Sequence, residues 1–285
     1  MTDKKLISRS EITASASTKK LPTLSRKSLC IPYGLFLALF VVFPLFLIIY
    51  YAFTSKTGAF SFQNFIDFFS NPTSLSTLFV SLLIGALTTL LCLLIGYPVA
   101  YILTKIKAKK SAILLLLFIM PMWINFVLRA MAMKEVMTLI GIFAKNDFYN
   151  FLNTVIGMVY DYLPFMILPL YTTLIKQDQS LLEASFDLGA TKGQTFRKVT
   201  LPLSIPGILS GVTMVFLPSM SAYVISDTFG NGKISIIGKL IEEQFGTGAN
   251  WNVGSAIAIV MLAVMFVTML LSGEFKEDKN VRGTL

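Results

Sequence analysis

The sequence contains no histidine and only two cysteines, and charged residues make up just 14% of its 285 positions. Each scarcity closes off a class of chemistry. Without an imidazole there is no His-based metal site, no Ser-His-Asp triad and no histidine proton relay. Cys30 and Cys92 are too few for a four-ligand zinc site. One precedes the first apolar segment and the other lies inside the second, so a disulfide framework is not expected. A soluble domain carries about a quarter of its residues as charges, and a chain this poor in charge cannot cover a water-facing surface. What is abundant is apolar: hydrophobic residues reach 55%, with 24 Phe and 13 Met, and the mean hydropathy is +0.73. The composition is that of an all-α, polytopic membrane protein.

Six apolar segments stand at about 31–53, 75–104, 112–133, 154–175, 203–227 and 253–272. Each reaches the roughly 20 residues with which a helix crosses a hydrocarbon core of about 30 Å. The second is longer and must tilt or project into water. The first is too long for a signal-peptide core and no small-residue cleavage site follows it, so it reads as a retained helix. These segments define a membrane domain over 31–273. A basic tail rich in Ser, Thr and Lys, 1–30, precedes it and is expected to be disordered with no assigned function; a short tail, 274–285, follows.

Six spans put both termini on one side, and the basic residues say which. Eighteen of the 24 Lys and Arg fall in the two tails and in the second and fourth loops, against five on the other face. Both termini are therefore expected in the cytoplasm. The same distribution accounts for the net charge of +9, which leaves no reason to invoke a nucleic-acid partner beside membrane lipid. Prolines 44, 98, 121, 164, 169, 206 and 218 interrupt the spans. Each frees a backbone carbonyl that a neighbouring helix or cavity water must satisfy, as suits a bundle that moves or lines a pathway.

The fourth loop, Gln179 to Pro202, holds the densest local signals. Ser180 with Glu183, and Thr191 with Gln194, have the spacing of two capping boxes in series. Gly189 stands where the first short helix needs a left-handed residue to end it. Leu181, Leu182, Ala184, Ser185 and Leu188 form one stripe of small and medium side chains, the pattern of a helix that docks into a partner's groove. A helix lying on lipid would instead favour Trp, Phe and Lys.

This loop resembles the cytoplasmic "EAA" loop of ABC-importer permeases. Glu183-Ala184-Ser185 is followed by Gly189, nine residues, and Val199-Thr200-Leu201-Pro202, with Ser185 in place of Ala and Val199 in place of Ile. Three further stretches look like spermidine/putrescine permeases of the PotB type within that family. They are Pro121-Met122-Trp123-Ile124-Asn125 with Arg129, Leu163-Pro164-Phe165-Met166 with Leu168-Pro169-Leu170-Tyr171, and Leu217-Pro218 ahead of Tyr223-Val224-Ile225-Ser226-Asp227. The resemblance covers about 75–260. It implies the MetI-like fold of six membrane helices in a bacterial cytoplasmic membrane. It also implies coupling of the loop (Glu183, Ala184, Ser185, Gly189, Leu201, Pro202) to an ABC ATPase dimer, a second permease subunit and an extracytoplasmic polyamine-binding protein. The chain has no phosphate loop of its own: Gly230-Asn231-Gly232-Lys233 lacks the required spacing. It is expected to be a transport subunit with no cofactor and no metal, not an enzyme.

A polyamine is an extended polycation, and a path for it calls for carboxylates and aromatic faces. Three ionisable residues fall inside the spans: Arg129, Asp161 and Asp227. Arg129 and Asp161 come to similar depth and can either pair with each other or line the path. Asp227 has no obvious basic partner at its depth and lies one turn from Tyr223, so it reads as an outer gate or as a mark of the interface. Trp123 and Asn125 extend the expected lining. Other readings are a permease for a different solute, an ion-coupled secondary transporter using Asp161 or Asp227, and a membrane-embedded enzyme, for which no nucleophile–base pair is present.

Overall fold

The computed structural model describes residues 26–272 except 56, 144, 247 and 249. The tail over 1–25 and the segment from 273 onward, including the expected C-tail, lie outside the described residues. Residues 26–30, expected to close a disordered tail, are helical and continue to Leu37. Two compact units divide at Leu47 and Ile48.

The division falls inside the first membrane helix, α1 (Ile31–Ala52). Within the first unit this helix contains a π turn, Ala38–Val42, in which Phe43 N–H donates to Ala38 O. Pro44 follows directly and has no N–H to give, so the ladder widens there instead of carrying a normal bond.

The second unit continues with α2 (Gln63–Ser70), α3 (Pro72–Lys105), α4 (Ala108–Trp123), α5 (Phe126–Leu139), α6 (Asp147–Leu174) and α7 (Gln179–Asp187). It ends with α8 (Lys192–Leu203), α9 (Ile205–Ser221), α10 (Tyr223–Phe229), α11 (Ile237–Phe245) and α12 (Trp251–Ser272). Among the described residues, regular structure is helical throughout, apart from one isolated bridge between Thr54 and Phe60. Four helices are long and apolar enough to cross a membrane, and up to six segments cross if α4 with α5 and α8 with α9 each count as one broken span.

The centre of this unit is a three-helix contact of α3, α6 and α9. Its cause is legible on α3: Thr77, Ser81, Gly85, Thr88, Cys92, Gly96 and Ala100 recur every three or four residues and are all buried. Small side chains let backbones approach where lipid offers no hydrophobic drive between helices. Gly211 on α9 meets the same demand from the other side, since a Cβ there would stand 2.6 Å from Met166 Sδ of α6. The hydroxyls turn to backbone: Ser81 donates to Thr77 O and accepts the Ile237 N–H, both at 2.7 Å, which pins the start of α11 to α3.

Two expected spans are not single helices. The segment 112–133 bends by 99° between α4 and α5. Pro121 tightens Met120–Trp123 into a 3₁₀ turn, and Asn125 restarts the helix by accepting the Val127 N–H at 2.9 Å. The segment 203–227 bends by 60° at Ser204 and breaks again at Ala222 (ψ +61°), four residues after Pro218. Tyr223 and Asp227 therefore sit on a separate short helix, not at the end of the fifth span. These breaks open the site described next.

Candidate functional site

A cavity of about 630 Å³ lies where α4 and α5, α6, and α9 and α10 meet. Of the six residues assigned to a cargo path by sequence, five line it: Trp123, Asn125, Arg129, Asp161 and Tyr223. The breaks explain how. The turn at Ile124 presents Trp123 and Asn125, and the break at Ala222 presents Tyr223. Tyr162, Phe165 and Pro218 complete the wall; Tyr162 is the neighbour of Asp161, and the sequence offered no separate reason to choose it. Trp123 is 78% exposed.

Arg129 and Asp161 meet across the cavity wall. Arg129 Nη2 stands 2.5 Å from Asp161 Oδ1, and the two side chains are 9% and 5% exposed. Asp161 Oδ1 nonetheless lacks an aligned hydrogen bond, and Arg129 Nε has no hydrogen-bond partner among the described residues. The close approach is thus a charge contact, not a saturated fork. The guanidinium also lies over the Tyr160 ring, 6.0 Å from its centroid. The pairing alternative raised by the sequence is the geometry found, and both partners line the cavity as well.

Asp227 lies outside the cavity lining, and the expectation that it lacks a basic partner is wrong. Lys239 Nζ of α11 donates to its Oδ1 at 2.5 Å, with side chains 21% and 38% exposed. The segment between the fifth and sixth spans folds back as α11, a short-range amphipathic helix whose long-range contact no sequence spacing announces. Among the described residues no group of three or more carboxylate or thiol side chains is arranged to hold a metal.

A second region is built by α7, α8 and the turn between them. Thr191 and Gln194 form the expected capping box, with Thr191 N–H to Gln194 Oε1 at 2.8 Å and Gln194 N–H to Thr191 Oγ1 at 3.4 Å. Gly189 takes φ +78°, a left-handed conformation that glycine adopts without a steric penalty. The first box is a correction: α7 is capped by Asp178, whose carboxylate accepts the Ser180 N–H at 2.9 Å. That bond to the charged form lowers the Asp178 pKa below the usual carboxylate value.

The expected docking stripe is also divided. Leu181, Ala184 and Leu188 are exposed, with Leu188 at 89%, and so is Glu183. Leu182 and Ser185 turn to their own chain, where Ser185 Oγ meets Thr195 Oγ1 at 2.8 Å. Beneath them Phe196 packs edge-on against Tyr97 and Tyr101 of α3. The loop is tied to the bundle again where Gln177 donates to Thr200 O at 3.0 Å, one residue before Leu201 and Pro202.

Comparison with known proteins fits this architecture. Residues 92–275 match the family "Binding-protein-dependent transport system inner membrane component". The chain is 36% identical over 247 residues to the spermidine/putrescine transport system permease protein PotB of Haemophilus influenzae, covering 80% of this chain and 86% of that one. It is 36% identical over 255 residues to the protein of the same description in Escherichia coli K12, covering 82% and 92%. Among solved structures, a bacterial ABC transporter involved in the import of the acidic polysaccharide alginate aligns with a TM-score of 0.71 at 16% identity, over 88% of this chain and 94% of that one. At that identity the likeness is one of fold. Broken apolar helices around a cavity that holds a buried ion pair, a capped loop between the fourth and fifth apolar segments and these matches lead to one assignment: the chain belongs to the family of inner-membrane components of binding-protein-dependent transport systems.

Proposed function

We propose that this chain is one of two permease subunits of an ATP-driven ABC importer that carries linear polyamines across a bacterial cytoplasmic membrane. The observation that carries the reading is the cavity, which joins the Asp161 carboxylate, the Asn125 amide and aromatic side chains that include Trp123 and Tyr223 from separate helical segments. A polyammonium chain can be attracted there by Asp161 and by the ring faces of Trp123 and Tyr223. The relatives described as spermidine/putrescine permeases direct the choice of cargo within that chemistry. Asp227, paired with Lys239 one helical turn beyond Tyr223, forms the outer rim of the path.

The other subunits follow from the same reading. With no phosphate loop of its own, the chain relies on a separate ATPase dimer, which docks on Leu181, Ala184 and Leu188 with Glu183 beside them. A second permease subunit completes the pathway, and an extracytoplasmic binding protein delivers cargo. ATP binding closes the ATPase dimer, the loop carries that motion through Leu201 and Pro202 into α9, and the cavity opens alternately to the two sides. Both termini and this loop lie in the cytoplasm. In intact cells, Lys145→Cys is expected to react with a membrane-impermeant thiol reagent and Lys109→Cys to be protected.

Uptake tests the cargo. Cells deprived of their own polyamine importers and given the complete transporter should accumulate labelled spermidine or putrescine in an ATP-dependent way. A transporter that ignores both amines while carrying another solute overturns the polyamine assignment and leaves the family membership intact.

A further inference from the structure

We propose that Arg129 is a resident counter-ion of the cargo path: it holds Asp161 while the cavity is empty and yields it to an ammonium group of the cargo. This rests on the polyamine reading above. The geometry that points to it is the combination of closeness, burial and incomplete satisfaction. The charges approach to 2.5 Å and are almost wholly buried, yet both side chains line the cavity where cargo would pass. From protein atoms among the described residues, Asp161 Oδ1 receives no aligned hydrogen bond and Arg129 Nε finds no acceptor. A pair serving only to fasten α5 to α6 gains most from a complete fork of hydrogen bonds, since a buried charge is costly wherever its donors or acceptors stay unpaired.

The exchange has a physical purpose. A lone carboxylate in a buried cavity is unfavourable, so the empty state needs a cation beside Asp161. A polyamine brings its own, and the two compete for one carboxylate. That competition limits how tightly cargo is held, and passage requires a site strong enough to enter and weak enough to leave. The displaced guanidinium has a place to go, because the Tyr160 ring already lies 6.0 Å from it and can keep it by cation–π attraction. Specificity follows as well: a neutral solute of the same length cannot take Arg129's place.

The test uses the complete transporter, with its partner subunits, in proteoliposomes, and reads initial spermidine transport against concentration. Arg129→Gln keeps much of the shape and removes the competitor. Its apparent KM should fall, and its maximal rate should fall by about tenfold or more, tenfold being about 1.4 kcal/mol. A pair that is only structural would not improve apparent affinity. The double variant Arg129→Gln/Asp161→Asn removes both charges and leaves no buried ion alone. It should assemble and insert like the parent yet transport at a small fraction of its rate. If Arg129→Gln does not assemble, the double variant decides alone. Parent-like transport by the double variant, or an unchanged or raised KM in Arg129→Gln, overturns the counter-ion role. Parent transporter that moves no spermidine in the same vesicles overturns the polyamine reading itself, and the inference with it, so the two failures are distinct.

Discussion

The cavity and the α7–α8 loop are built by opposite means. In the loop, the decisive contacts join residues two or three apart: Asp178 with Ser180, and Thr191 with Gln194. In the cavity they join Arg129 to Asp161 and bring Trp123 near Tyr223, across separate helices and two chain breaks. The loop is mostly exposed, so each of its bonds competes with water and is worth about 1 kcal/mol. The pair is almost wholly withdrawn from solvent, with side chains 9% and 5% exposed, so losing one partner leaves a poorly solvated charge. Local sequence can therefore specify the loop, whereas only packing can specify the cavity.

The strongest test of the loop is Gly189→Val. No atom lies within 4 Å of the Cβ position, so space is not the obstacle; the obstacle is φ +78°. A β-branched residue resists that conformation, and the loop must rearrange. Uptake should be lost while the permease stays in the membrane, and ATPase subunits should no longer co-purify. Normal uptake would break the link between this turn and coupling.

Next come the two ion pairs, set against each other. Arg129→Ala strands a buried Asp161 and should lower stability by about 3–5 kcal/mol, read as a large fall in the thermal midpoint in detergent. Asp227→Asn, in a half-open pair, should cost under about 1 kcal/mol and still reduce polyamine uptake sharply. Equal losses of stability would remove the distinction between the buried and rim pairs, and unchanged uptake by Asp227→Asn would remove that carboxylate from the path.

Smaller effects separate the two helix starts. Thr191→Ala should cost about 1 kcal/mol, seen as faster amide exchange over 192–195. Ser180→Ala should change little, because Asp178 and not Ser180 caps α7. Comparable exchange in both variants would return the cap to Ser180.

The smallest effect is one of pH. Asp178 has a lowered folded-state pKa, so its contribution is present above the ordinary carboxylate value of about 3.9 and is lost as pH falls through the lower folded value. Amide exchange at the start of α7 should rise only in that acid range, and Asp178→Ala should abolish the dependence.

What the sequence by itself determined is what short-range chemistry and hydropathy determine. The apolar segments gave a helical membrane protein because backbone groups in lipid must be satisfied within the helix. The Thr191 box and the Gly189 turn were legible because partners three residues apart, or a single φ, decide them. Trp123, Asn125, Arg129, Asp161 and Tyr223 were legible as polar or aromatic residues out of place in apolar spans, a signal of cost that marks the residue but not its partner. The partner was the part the tertiary structure decided. Lys239 reaches Asp227 only because α11 folds back and is pinned by Ser81. Ser180 gave way to Asp178 because both fit the local pattern and the chain began its helix one residue before Ser180. The 99° bend at Ile124 and the break at Ala222 turned two expected spans into four segments. Proline marks where a helix can break, but the angle it takes is set by the helices packed around it.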